Sequence, residues 1–239
     1  MKPELAAVKA LTFDVFGTVV DWRGSIAREV RRLAREKGLR VNAVKFADAW
    51  RAGYRPAMNR VGSGELPWIR IDDLHRMILD DILVKFKITT LTETEKGRLN
   101  YAWHRLKPWP DSVRGLKRLK RKFTIATLSN GNVALLNNMA KNAGLPWDLI
   151  LSAEIFHHYK PDPETYLGAA HILGLKPEEV MMVAAHKSDL QHAAKSGLKT
   201  ALVLRPLEFG KGKHPDLNFD PAFDINATDF IDLANQLDA

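Results

Sequence analysis

Leu11-Thr12-Phe13-Asp14-Val15-Phe16-Gly17-Thr18-Val19-Val20-Asp21 is the stretch from which the architecture of this protein follows. It completes an apolar run that begins at Val8. The run is continuous rather than alternating, the pattern of a strand covered on both faces in a parallel sheet. It stops at an acid. A carboxylate placed directly after a buried strand loses water on several sides, which costs free energy unless something uses the group. A plain turn-capping role for Asp14 is the alternative. Gly17 permits a tight reversal, so that the backbone N–H groups of Val15 and Phe16 are free to point at an anion near the carboxylate.

Four further runs share this character: Phe123–Leu128, Leu149–Leu151, Val180–Val183 and Thr200–Leu204. Between them lie helical patterns at Val133–Ala143, Pro163–Leu173 and Asp189–Ser196, each ending near a glycine (Gly144, Gly174, Gly197), the usual C-terminal stop. Strand and helix alternating at this spacing predict an α/β fold with a doubly wound parallel sheet. The first strand breaks the rhythm, because only helical patterns separate it from the second: Ser25–Lys37, Val44–Arg60, Pro67–Lys87 and Thr92–Leu106. Ser25 and Thr92 are the expected N-caps, Thr92 with Glu95 as a capping box. The simplest topology is a core of residues 1–21 and 109–239 with an inserted all-helical cap over residues 22–108. Ligands of such sheets bind beyond the C-terminal ends of the strands.

Composition narrows the class. At 239 residues, a prior of about 150 residues per domain allows one or two domains. Apolar types form 46% and charged types 27%, which excludes wholesale disorder. The absence of cysteine removes disulfides, thiolate nucleophiles and Cys-ligated metal centres together. No run suits a signal peptide or a membrane span, so a cytoplasmic protein with no membrane partner is expected. Lys and Arg exceed Asp and Glu by eight. The surplus gathers at Arg23, Arg28, Arg31, Arg32, Arg35, Lys37 and Arg40, and at Arg114, Lys117, Arg118, Lys120, Arg121 and Lys122. Both clusters fall on helical patterns and read as solvated basic faces. No aromatic-interleaved strand or recognition helix accompanies them, so no nucleic-acid partner is expected. A positive field also concentrates small anions.

The other strand ends carry chemistry of their own. The second is followed by Ser129-Asn130-Gly131 at a helix start, either an ordinary N-cap or an anion site. After the third come His158-Tyr159-Lys160-Pro161-Asp162-Pro163-Glu164-Thr165-Tyr166, whose prolines set Lys160 rigidly. A lysine beside Asp14 keeps that carboxylate ionised, although most lysines are simply exposed. The fourth ends in Ala184-Ala185-His186-Lys187-Ser188-Asp189. There Asp189 reads as base or N-cap, and His186 as pocket residue or satisfied loop histidine.

Taken in order, Asp14 with Thr18, Ser129-Asn130-Gly131, Lys160-Pro161 and Asp189 resemble the four motifs of the haloacid dehalogenase superfamily, over nearly the whole chain. The resemblance implies a Rossmann-like core with a cap inserted between Asp21 and Trp109. Most members are magnesium-dependent phosphatases whose first motif is DxD. Here the second acid is Phe16, which transfers no proton. The fourth motif, usually GDxxxD, has Ala185 in place of its first acid, leaving few oxygen ligands for Mg²⁺. No metal or other cofactor is expected. The pattern is closer to the L-2-haloacid dehalogenases, which it resembles in the aromatic Phe16, in Trp50-Arg51, in Lys160-Pro161-Asp162 followed by Tyr166, and in the run from Phe13 to Arg23.

That resemblance implies roles. Asp14 attacks the halogen-bearing carbon to give an ester. Ser129 and the N–H groups of Val15 and Phe16 hold the substrate carboxylate, and Arg51 and Asn130 receive the halide. Asp189, with His186, places the hydrolytic water. Lys160 orients Asp14, with Thr18 and Tyr166 around it. Related enzymes carry Ser and Asn where this chain has Ala184 and His186, and a histidine is able to act as base near neutral pH. Trp50, Tyr54 and Trp68 are wall or core aromatics. The partner is a small haloacid, and the family suggests a homodimer. The alternatives are a Mg²⁺-dependent phosphatase or phosphonate hydrolase, and a non-catalytic binding protein on the same fold.

Overall fold

Alternation of apolar runs and helices closes into one parallel sheet in the computed structural model, which describes residues 5–213 and 216–239. The strands are β1 (Ala10–Phe13), β4 (Thr124–Ser129), β5 (Leu149–Ser152), β6 (Val180–Ala184), β7 (Lys199–Val203) and β8 (Ile225–Ala227). Among the described residues they lie in the order β5-β4-β1-β6-β7-β8, every neighbour parallel. β1 is central, with Phe13 paired to Thr127 on one side and Val183 on the other. The order reverses there, and a crevice opens beyond the strand ends. Asp14 enters that crevice with its N–H bonded to the Val183 carbonyl at 3.0 Å.

All four residues of β1 are buried, which is why the strand carries no charge and Thr12 is its one polar residue. Helices cover both faces: α5 (Ser112–Leu119), α6 (Val133–Ala143), α8 (Pro163–Ile172), α9 (Lys187–Lys195) and α10 (Phe230–Gln236), with the single turn α7 (Ala153–Phe156) after β5. Phe13 meets Trp147 and Phe230 on one side of the sheet, while Tyr166, Met182 and Leu190 pack on the other. The five expected strands are present. β8 and α10 were not anticipated, because three residues are too short to read as an apolar run.

Between the short strand β2 (Val20–Asp21) and its antiparallel partner β3 (Lys107–Pro108) the chain is helical: α1 (Trp22–Lys37), α2 (Ala43–Gly62), α3 (Ile71–Lys85), α4 (Glu93–Asn100) and a 3₁₀ turn at Tyr101–Arg105. Three local expectations are corrected. Ser25 is not the N-cap of α1. Asp21, at the end of β2, accepts the Gly24 N–H at 2.7 Å, and buried Ser25 accepts the Lys107 N–H at 2.9 Å. Residues 67–70 are not helical: Trp68 stacks on His157 and the Ile69 carbonyl accepts the Tyr159 hydroxyl. The last pattern divides into α4 and the 3₁₀ turn, behind the Thr92–Glu95 capping box expected there.

Several members of the basic clusters are held by ion pairs or hydrogen bonds. Arg23 forks onto Asp48 at 2.6 and 2.8 Å, Arg32 pairs with Glu29, and Arg118 donates to the Ala239 carbonyl at 2.7 Å. No helix among the described residues is long and apolar enough to cross a membrane.

His75 on α3 sits inside the helical layer against Trp103, ring centroids 4.1 Å apart, with neither ring nitrogen partnered among the described residues. Burial drives its pKa down from 6.5 to about 3. The folded chain therefore prefers neutral His75, a contribution fully present above about pH 6.5 and lost as pH falls toward about 3, at no more than about 1.4 kcal/mol per pH unit. Thermal unfolding from pH 7 to pH 4 is expected to show a smaller acid loss in His75→Phe than in the parent. Parallel acid limbs would show that other groups set it.

Candidate active site

Each strand end delivers one part of the site. Gly17 adopts φ 88°, a backbone state costly for other residues, and turns the chain after β1 so that Asp14 faces a cavity of about 380 Å³. The Val15 and Phe16 N–H groups have no hydrogen-bond acceptor among the described residues. Asp14 is 8% exposed. Its Oδ2 accepts from the Thr18 hydroxyl at 2.7 Å, and that hydroxyl also accepts the Ala185 N–H at 2.9 Å, so Thr18 joins the ends of β1 and β6. Its Oδ1 receives the Lys160 ammonium at 3.2 Å. Lys160 bonds Asp189 as well, whose other oxygen takes the Tyr166 hydroxyl at 2.6 Å.

Charge alternates through this cluster. Burial works to raise the Asp14 carboxyl, but Lys160 and the hydrogen bonds of His186 and Thr18 outweigh it and hold Asp14 well below the usual carboxylate range. Lys160 is pulled down by burial and more than restored by Asp14 and Asp189, so it remains an ammonium. Burial first, then the Asp189 charge, push the Tyr166 hydroxyl far up, leaving it a donor. The arrangement is an ionised carboxylate fixed by donors on both oxygens.

Asn130 lines the cavity and is itself anchored, its Oδ1 accepting the Lys160 N–H at 2.7 Å and its Nδ2 lying 3.3 Å from Met58 Sδ. Arg51 comes from α2 on the opposite wall. Its guanidinium stacks over Tyr54 at 4.3 Å and lies near Trp22 and Phe16, while the buried Nη1 has no partner among the described residues. An uncompensated buried donor is costly, and Arg51 is one of the residues that line the cavity.

Not every expected residue reaches the cavity. Ser129 is fully buried, its hydroxyl oxygen accepting the Gly131 N–H at 3.2 Å, and is absent from the cavity wall. Trp50 is core, donating to the His75 carbonyl; Trp68 lines a separate outer depression, and Tyr54 alone of the three faces the cavity. Glu208, in the loop after β7, was missed. It is 1% exposed and bonds both His186 and Trp22. A lone glutamate in a polar loop carries no local signal of burial.

His186 differs most from its sequence reading. It touches Asp14 through Nδ1 and Glu208 through Nε2. Burial favours the neutral ring, yet these two carboxylates push it up to about 10. Both contacts favour the protonated ring, which donates from both nitrogens.

The donor set does not suit a magnesium ion. The Lys160 ammonium lies between the two carboxylates that such an ion would share, and residues 16 and 185 are Phe and Ala, whereas Mg²⁺ needs an octahedron of oxygens.

Known proteins resemble this chain in sequence and fold. Residues 8–197 match the family model of the haloacid dehalogenase-like hydrolases. The crystal structure of the defluorinating L-2-haloacid dehalogenase Rha0230 superposes with a TM-score of 0.95 at 50% identity, covering 97% of this chain and 96% of that one. That of the L-2-haloacid dehalogenase PA0810 gives 0.93 at 47% identity, covering 97% and 99%. (S)-2-haloacid dehalogenase 4A of Burkholderia cepacia is 31% identical over 226 residues, 90% of this chain and 89% of its own. This chain belongs to the haloacid dehalogenase-like hydrolases, beside members that cleave carbon–halogen bonds.

Proposed function

We propose that this protein hydrolyses short 2-haloacids to 2-hydroxy acids through an ester on Asp14, without a metal ion. The observation that carries the reading is the pairing of two features across one cavity. Asp14 is held ionised, and facing it lies the unpartnered guanidinium donor of Arg51, with a phenyl ring at position 16 in place of a proton donor. A halide departs as a stable anion and needs no proton. An alkoxide departing from a phosphate ester does need one.

In the first step an Asp14 oxygen forms a bond to the halogen-bearing carbon, and the carbon–halogen pair leaves with the halide toward Arg51 and Asn130. Phe16, Tyr54 and Trp22 keep water from the guanidinium, which strengthens its attraction for that charge. The substrate carboxylate is assigned to the free N–H groups of Val15 and Phe16. In the second step water adds to the Asp14 carboxyl carbon.

Repeated turnover of chloroacetate in H₂¹⁸O with EDTA present tests this. The expected result is chloride release unaffected by EDTA and ¹⁸O in the peptide containing Asp14. Label confined to glycolate, with none in the enzyme, rejects the ester; phosphate-ester hydrolysis that requires Mg²⁺ rejects the substrate class. Fluoroacetate belongs in the same experiment, since Rha0230 is described as defluorinating.

A further inference from the structure

His186 stands between carboxylates supplied by opposite ends of the chain. Its Nδ1 lies 3.2 Å from Asp14 Oδ2, and its Nε2 lies 3.0 and 3.1 Å from the two oxygens of Glu208. Carboxylate acceptors at both nitrogens call for a ring that donates from both.

Glu208 is fixed in turn. Trp22 Nε1 donates to its Oε1 at 3.1 Å. A Cβ at position 17 would stand 2.2 Å from that same oxygen, so Gly17 serves the approach of Glu208 as well as the turn. Three residues earlier, Arg205 donates through Nε to the Thr18 carbonyl at 2.7 Å and through Nη1 to Asp111 at 2.7 Å. Trp22, Arg205 and Glu208, outside the four strand-end motifs, thus fasten the loop after β7 to the loop that carries Asp14.

We propose that Glu208 is a positioning residue for ester hydrolysis: it holds His186 with Nδ1–H on Asp14 Oδ2, so that the ring stabilises the oxyanion and does not activate the water. The inference rests on the aspartyl-ester reading above. Water oxygen bonds to the Asp14 carboxyl carbon, the C=O electron pair moves onto Oδ2, and one water proton passes to Asp189. Thr18 and His186 donate to the new oxyanion. The carbon–alkoxide bond then breaks with its pair on the product oxygen, which takes the remaining hydroxyl proton. Asp14 returns as carboxylate, and Asp189 releases its proton to solvent. Asp14 and Glu208 contact the ring, Lys160 and Asp189 stand beyond Asp14, and Arg51 faces it across the cavity. Esterification removes the Asp14 charge, leaving Glu208 as the carboxylate still touching the ring.

The test is rapid-quench single turnover of chloroacetate, following chloride and glycolate separately across pH. Glu208→Gln is expected to keep the chloride burst and to hydrolyse the ester about tenfold more slowly at neutral pH. Its hydrolysis should decline as pH rises past about 6.5, where the parent still holds its rate. A basic role for His186 predicts the opposite slope, a rise with pH. His186→Asn retains an N–H donor and is expected to hydrolyse the ester within about tenfold of the parent, with no slope in that range; accumulation of unhydrolysed ester in this variant overturns the proposal. So does a Glu208→Gln profile that superimposes on the parent. If circular dichroism shows Glu208→Gln unfolded, the His186→Asn result decides. Absence of ¹⁸O from the Asp14 peptide of the parent after turnover in H₂¹⁸O overturns the ester reading itself, and this inference with it.

Discussion

Asp14→Asn is expected to lower chloride release from chloroacetate by about 10,000-fold or more, the scale on which removal of a covalent nucleophile acts. The amide nitrogen is no nucleophile, and the amide oxygen lacks the charge that Lys160, His186 and Thr18 are arranged around. The fold should survive. Lys160 keeps Asp189 and His186 keeps Glu208, so neither cation is stranded, and the cost is that of two weakened charged hydrogen bonds, about 1–3 kcal/mol each. Halide-electrode assays beside thermal melts separate these effects. A folded variant with activity near that of the parent would mean that another group attacks carbon.

Lys160→Met should be the most damaging substitution for stability. The ammonium is 7% exposed and lies between two carboxylates of similar burial. Removing it leaves Asp14 facing Asp189 with no cation between them. Breaking one partner out of a buried ion pair costs about 3–5 kcal/mol. The sign with pH follows from the depressed pKa of Asp14: its stabilisation is present above the ordinary carboxylate value of 3.8 and lost as pH falls, so the variant's deficit should shrink toward acid. Adding Asp189→Asn removes the second uncompensated charge and should recover part of the melting temperature without recovering chloride release. A single variant that melts with the parent at neutral pH would show that the cluster is not held by this lysine.

Much of the fold was legible because its signals are local. The β1, β4, β6 and β7 runs are largely apolar because both faces of the sheet are covered, and each chemical residue follows a strand because that is where backbone leaves the buried layer. Asp14, Lys160 and Asp189 were identified in this way and do meet. Ser25 was misread because a serine before a helical pattern resembles a cap whether or not the helix begins one turn earlier. β8 was missed because three residues carry no periodicity.

The order of the elements, the helical insertion and the chemistry offered at each strand end were written into short stretches of chain, where hydropathy and backbone preference act between neighbours. The charge on His186, the burial of Glu208 and the bare donor of Arg51 were settled by folding. Each depends on groups brought together from distant segments, as Trp22 and Glu208 are, and desolvation and Coulomb attraction respond to distance in space whatever the separation in sequence.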